Sequence, residues 1–354
     1  MISFRNDYSE GAHERVLEAL ACTNRLQHSG YGEDEHCRAA GDRIRTLIGQ
    51  PGAAVHFLSG GTQANMTVIA SILRPHQGVV AADTGHIATH ETGAVEATGH
   101  KVLTVSHHQG RLQAEDVHRL VEEHAADSAF EHMVQPGMVY ISNTTELGTL
   151  YTRDMLHALH SVCRQKGLPL YLDGARLGYA LTSEGNDLTL QDIARCCDVF
   201  TLGLTKQGGL FGEAVVIVNP ALQKDFRYHI KQRGGMLAKG WLMGLQCEVL
   251  LQDDLYFKLA RRAVGLALHI RDSLRGLGVA FLSDSPSNQQ FPIFSQQVVD
   301  CLAQNWGFNL DQPLPGERRA IRLCTSWATR EEDVEALIGD IRRLLATEGA
   351  GAAR

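Results

Sequence analysis

Val199-Phe200-Thr201-Leu202-Gly203-Leu204-Thr205-Lys206-Gln207-Gly208-Gly209 reads as a short apolar strand that ends in Thr-Lys and runs into a Gly-Gly turn. Lys206 therefore stands at the carboxyl end of a buried strand, the edge of an open α/β sheet at which ligands bind. Burial lowers an amine's pKa and makes it a nucleophile, most often for a Schiff base with a carbonyl cofactor. Taken alone, the stretch fits equally a lysine that snorkels to solvent from a strand end.

A second stretch, Leu168-Pro169-Leu170-Tyr171-Leu172-Asp173-Gly174-Ala175-Arg176, changes that balance. It is another apolar strand, ending in a carboxylate with an arginine just beyond. Pyridoxal phosphate chemistry needs an acid beside the pyridine nitrogen, because the protonated ring is the better electron sink. One candidate helix, 188–197, separates the two strands. The strand–helix–strand unit puts Asp173 and Lys206 at carboxyl ends of parallel strands.

With Asp173-Gly174-Ala175-Arg176 followed by Thr205-Lys206-x-Gly208-x-x-Phe211-Gly212-Glu213, the chain resembles the threonine aldolase group of the fold-type-I pyridoxal phosphate enzymes. The resemblance runs from Phe4-Arg5-Asn6-Asp7 to Arg322. It implies a mostly parallel seven-stranded α/β sheet with helices on both faces and a smaller C-terminal α/β domain. The expected division is 1–249 and 250–354. It also implies a lyase that cleaves β-hydroxy-α-amino acids to glycine and an aldehyde. Alternatives on the same scaffold are a β-eliminating lyase, an aminotransferase and a non-catalytic cofactor-binding protein.

Composition bounds the setting. The chain has 354 residues and a net charge of -7 with both signs interspersed, which argues against nucleic acid and anionic membrane surfaces as partners. The start, Met1 to Gly11, is polar and carries no visible secretory signal. Eight cysteines are scattered without a Cys-x-x-Cys pair, the pattern of buried thiols in a reducing cytosol. A cytoplasmic location is the expectation.

The other candidate residues lie at strand ends and loops. His56-Phe57-Leu58 runs into Ser59-Gly60-Gly61-Thr62 and a helix, so backbone N–H groups at Gly60 and Gly61, with the Thr62 hydroxyl, can hold a phosphate. His86 and His90 share a helix face, but no third metal ligand follows in a His-Glu-x-x-His pattern, so no metal is expected there. The resemblance instead stacks His86 on the cofactor ring with Glu91 near the reacting end. Because transaminases usually place an aromatic ring at that position, it tilts the reading toward aldol chemistry. At Asn143-Thr144-Thr145-Glu146 the chain departs from the family's Asn-Thr-His-Asn. His132 matches a second catalytic histidine of the family, against a plain loop histidine at even weight. Arg322 lies mid-strand among apolar residues, where a charge needs an acid or a ligand carboxylate. The resemblance gives Arg322, Arg176 and Asn6 to the substrate carboxylate, and the Tyr31 loop, Arg233 and Lys239 to a site shared between subunits of a homodimer or homotetramer. The strand 214–218 begins too soon after Lys206 for a helical crossover, so it must pair antiparallel.

Overall fold

The computed structural model describes residues 1–352. Seven strands form the main sheet: β1 (Ala54–Leu58), β2 (Gln77–Ala82), β3 (Val102–Val105), β4 (Gln135–Ser142), β5 (Leu170–Asp173), β6 (Val199–Gly203) and β7 (Glu213–Ile217). Their spatial order is β1-β7-β6-β5-β4-β2-β3. All pairings are parallel except those of β7, which runs antiparallel to both β1 and β6. The antiparallel strand follows from the short Lys206–Gly212 connection, as expected. Strands β4 to β7 are buried nearly throughout and read as continuous apolar runs, because helices cover both faces.

Local signals explain the helix ends. Asp34 caps the helix Glu35–Ile48 by accepting from the Cys37 N–H at 2.8 Å, and Gly49 closes it at φ 65°. Thr189 and Asp192 form a capping box at the start of Leu190–Cys196, the helix between Asp173 and Lys206. From 241 to 276 the chain is helical in two pieces, Trp241–Leu251 and the long Leu255–Gly276. Asp253 and Asp254 break it at φ 51° and 61°, the left-handed region that aspartate tolerates better than most residues.

The smaller sheet holds Ile293–Ser295, Arg318–Cys324 and Asn309–Leu314, with Gln289–Gln290 on the same Arg318–Cys324 strand. Residues 279–282 form no strand; Phe281 makes only an isolated bridge to Pro292. Asn309–Leu314 carried no strand signal, because it is a polar edge strand that is largely exposed. A second core collects Ile270, Leu274, Phe294, Ile321 and Ile341, and Phe4 from the other end of the chain joins it. Ile2–Ser3 pairs in parallel with Trp306–Gly307. The N-terminal arm thus packs on the C-terminal region before the chain enters the large sheet. No helix among the described residues is long and apolar enough to cross a membrane.

Candidate active site

The carboxyl ends of β1, β4, β5 and β6 open into one cavity of about 400 Å³. Lys206 follows β6 in a single 3₁₀ turn ended by Gly208 at φ 93°. A Cβ there would come within 2.8 Å of Leu259, so glycine is required both by conformation and by space. The Lys206 amine faces the cavity, 5.9 Å from the centroid of the Tyr8 ring. Burial lowers its pKa, the Arg176 cation adds to this, and Asp7, Glu213 and Asp173 oppose it. The direction is the one a nucleophilic amine needs.

Asp173 lies at the end of β5, beside β6. Its Oδ2 accepts from Asn65 Nδ2 at 2.9 Å and from the Tyr140 hydroxyl at 2.7 Å, and its Oδ1 accepts from the Ala175 N–H at 2.9 Å. Burial works against the charge, but His86 and these donors outweigh it and hold the carboxyl below the ordinary aspartate range. An ionised acid held in this way can keep a ring nitrogen protonated.

Asn65 joins this carboxylate to a second one. Its amide also donates to Glu91 Oε1 at 2.7 Å, and its own oxygen accepts from the Tyr171 hydroxyl at 2.7 Å. Glu91 Oε1 meets His86 Nδ1 at 2.7 Å. A carboxylate accepts, so Nδ1 carries a proton and Nε2 is the ring nitrogen not engaged by Glu91. His86 lines the cavity and Glu91 does not. Glu91 therefore sits behind His86 and sets its tautomer, rather than standing near the reacting end as expected.

Glu146, where the family has asparagine, accepts from Ser142 Oγ at 2.7 Å and from the His86 N–H at 2.9 Å. Burial raises its pKa against these donors. His90, given no role from sequence, lines the same cavity with its ring 5.5 Å from that of His86.

Gly60, Gly61 and Thr62 line the same cavity at the start of a helix. Gly61 opens the helix Gly61–Ile72, and its N-cap Gly60 offers no side-chain cap, so the first N–H groups are left for a ligand. A Cβ on Gly60 or Gly61 would meet nothing within 4 Å, which makes this open space on the cavity side, with Thr62 beside it. An enclosed amine, an ionised carboxylate and an uncapped helix start in one cavity fit pyridoxal 5'-phosphate.

Arg176 lines the cavity, but much of its fork is occupied. Nε and Nη2 donate to Asp7 at 2.8 and 2.9 Å, and Asn288 donates to the same carboxylate at 2.9 Å. Both Nη1 hydrogens and the second Nη2 hydrogen are left for a ligand. Arg322 lies near His90, with Nη2 donating to the Arg5 carbonyl at 3.4 Å and a buried Nε that has no partner. Asn6 turns its side-chain oxygen back to the Tyr8 N–H at 3.0 Å and to Ser9 Oγ, which favours a turn-forming role over the expected carboxylate contact.

Three residues expected at a shared site lie outside this chain's own cavity. Tyr31 lines a separate pocket with Arg227 and Met236 and lies under Lys231 Nζ at 4.8 Å. Arg233 and Lys239 flank it on the basic segment, and Lys239 is exposed.

His132 is a correction. It lies in a short turn just before β4, in a surface pocket with Lys101, His124 and Asp127. β4 has 8 residues, so it spans roughly 23 Å at ~3.3 Å per residue and separates His132 from Ser142. The histidine is at the wrong end of the sheet. Away from the cavity, His28, Glu35 and His36 gather within 4.8 Å of one another, but Glu35 and Glu248 already engage the two rings at 2.7 Å each.

Residues 4–296 match the model of the beta-eliminating lyase family. The chain is 30% identical to the low specificity L-threonine aldolase of Pseudomonas aeruginosa over 97% of both chains. It is 25% identical to that of Escherichia coli K12 over 68% of this chain and 70% of the relative. A solved threonine aldolase of Leishmania major superposes with a TM-score of 0.95 at 46% identity, covering 98% of this chain and 100% of the other. An aspartate aminotransferase of Thermus thermophilus, 15% identical, shares the fold with a TM-score of 0.71.

Proposed function

The chain belongs to the beta-eliminating lyase family, and from that premise we propose that it is a pyridoxal-phosphate-dependent L-threonine aldolase, cleaving L-threonine and related β-hydroxy-α-amino acids to glycine and an aldehyde. The observation that carries the choice of reaction is His86. Glu91 engages its Nδ1, which leaves Nε2 as the nitrogen for the reaction, and His86 lines the same cavity as Lys206. Retro-aldol cleavage must remove a β-hydroxyl proton, which neutral imidazole is suited to accept near neutral pH. An aminotransferase has no such proton to remove.

Pyridoxal phosphate, when bound, supplies the electron sink for the pair released as the Cα–Cβ bond breaks. Lys206 would hold it covalently, Asp173 would face its ring nitrogen, and Gly60, Gly61 and Thr62 would hold its phosphate. Arg322 and the open Nη1 of Arg176 bind the substrate carboxylate, and the buried Asp7 keeps Arg176 at its post. Orientation of this kind aligns the scissile bond, and the proton transfer assigned to His86 contributes roughly 10²–10⁴-fold. The exposed Tyr31 and the adjoining basic segment support a homodimer or homotetramer in which Arg233 and Lys239 serve a neighbour's site. The scattered free cysteines support a cytoplasmic location.

Product analysis with L-threonine tests the reading. Glycine and acetaldehyde in equal amounts are the expected outcome. A 2-oxo acid with ammonia would indicate β-elimination, and a 2-oxo acid formed only with an amino acceptor would indicate transamination. Either result would overturn the proposal.

A further inference from the structure

We infer that Glu213 is the proton partner of Lys206, one proton being shared between the carboxyl of the first and the amine of the second. The inference rests on the reading of Lys206 as the cofactor lysine. An amine attacks a carbonyl only after its ammonium has lost a proton. In the inferred step one N–H bond of the ammonium breaks, and its electron pair stays on nitrogen. An O–H bond forms on Glu213. The reverse step restores the ammonium when the amine is set free, so no further reactant is needed.

Glu213 opens β7, opposite Gly203 at the end of the strand that leads to Lys206 and opposite Leu58 at the end of the strand that leads to the phosphate cradle. It is 3% exposed and lines the cavity that Lys206 lines. Its Oε2 has no hydrogen-bond partner. A buried carboxylate oxygen without a donor is costly when ionised, so this site favours a carboxyl that can carry a proton. Among the described residues the two groups form no direct ion pair, but both face the same cavity, and a general acid or base can act directly or through one water.

The other carboxylates around Lys206 are not free for this task. Asp7 is saturated by Arg176 and Asn288, and Asp173 by Asn65, Tyr140 and a backbone N–H. Both are held below the ordinary aspartate range and cannot keep a proton near neutral pH. Glu213 behaves oppositely: burial pushes its carboxyl up to about 8, the Lys206 cation opposes this and the Asp173 charge adds to it. The charged groups that face the pair are therefore Asp173, Asp7 and Arg176, with the phenols of Tyr171 and Tyr256 packed against the Glu213 side.

Trace acetylation of the cofactor-free protein with acetic anhydride tests the assignment, with Lys206 labelling followed by mass spectrometry across the pH range. Wild type is expected to titrate Lys206 in a broad, coupled curve. Glu213→Gln removes the carboxylate charge, so the curve should sharpen to one step with its midpoint lower by about one pH unit, about tenfold more labelling below the midpoint. Glu213→Asp keeps the charge and should bring the midpoint back toward wild type. A Gln profile that superimposes on wild type overturns the assignment. So does a midpoint shared by the Asp and Gln variants, which would trace the shift to packing. Borohydride reduction of the loaded protein separates this from the functional reading. Cofactor fixed to a lysine other than Lys206 sinks that reading, whereas fixation on Lys206 with an unshifted Gln profile sinks only the Glu213 assignment.

Discussion

The two ends of the main sheet carry similar side chains and differ in what surrounds them. At the amino end, Lys101, His132 and Asp127 are exposed around a surface pocket, with His124 half-buried beside them. At the carboxyl end, Lys206, His86 and Asp173 meet in a cavity, and a hydrogen-bonded chain sets the acid and the histidine. Asn65 joins Asp173 to Glu91, Glu91 orients His86, and His86 donates its backbone N–H to Glu146. A lysine, a histidine and an acid are present at both ends, so residue type does not make the site. Helix starts, strand-end turns and crossing loops collect at the carboxyl edge of a parallel sheet, and they supply the walls and donors that fix charge and direction.

Lys206→Ala is the largest test of that contrast. Loss of the visible cofactor band and of all measurable cleavage is expected, read by absorbance and aldehyde release. Retention of either would break the comparison. His86→Phe keeps a flat ring in the cavity but removes Nε2, so the cofactor band should persist while turnover falls roughly 10²–10⁴-fold. Unchanged aldehyde release would reduce His86 to a stacking surface.

Asp7→Asn leaves the Arg176 cation without its buried counter-charge and should destabilise the protein by about 3–5 kcal/mol, read by denaturant unfolding. The acid limb sharpens this. Burial raises the Asp7 pKa, but Arg176 and Lys206 outweigh it and hold the group below 3.8, its ordinary value. A depressed folded pKa gives stability that is present above 3.8 and lost as pH falls through the folded value. The gap between wild type and Asp7→Asn should therefore close as the pH is taken below that point. A constant gap would mean that the charge is not what matters. His132→Ala is the smallest expected effect: unchanged turnover and a stability change within about 0.5 kcal/mol, as for an ordinary surface position. A large loss of turnover would break the contrast between the two ends.

What could be read from the chain without its structure was what strand ends and turns announce. Lys206 and Asp173 close apolar runs, Gly60 and Gly61 stand between a strand and a helix, and the antiparallel β7 follows from a connection too short to cross over. The partners were not legible. Asp7 and Arg176 are 169 residues apart, and neither local pattern names the other. Asn65 interrupts an otherwise apolar, buried helix face, a signal of a buried amide with work to do, but its two carboxylate partners lie far along the chain, one in the loop after His86 and one at the end of β5. Glu213 was visible only as the last residue of the lysine motif. His132 rested on the family resemblance at even weight with a loop histidine, and the length of β4 decides for the loop.

The N-terminal arm sets the order in which the protein can be completed during synthesis. Ile2 and Ser3 pair with Trp306 and Gly307, Phe4 sits in the second core, and Asp7 accepts from both Arg176 and Asn288. These residues must wait for partners that are made roughly 300 residues later. The large sheet can form domain-wise before then, but Arg176 lacks its counter-charge until the arm is seated. Seating of this arm is thus tied by connectivity to the C-terminal region, and a segment made early is among the last to take its place.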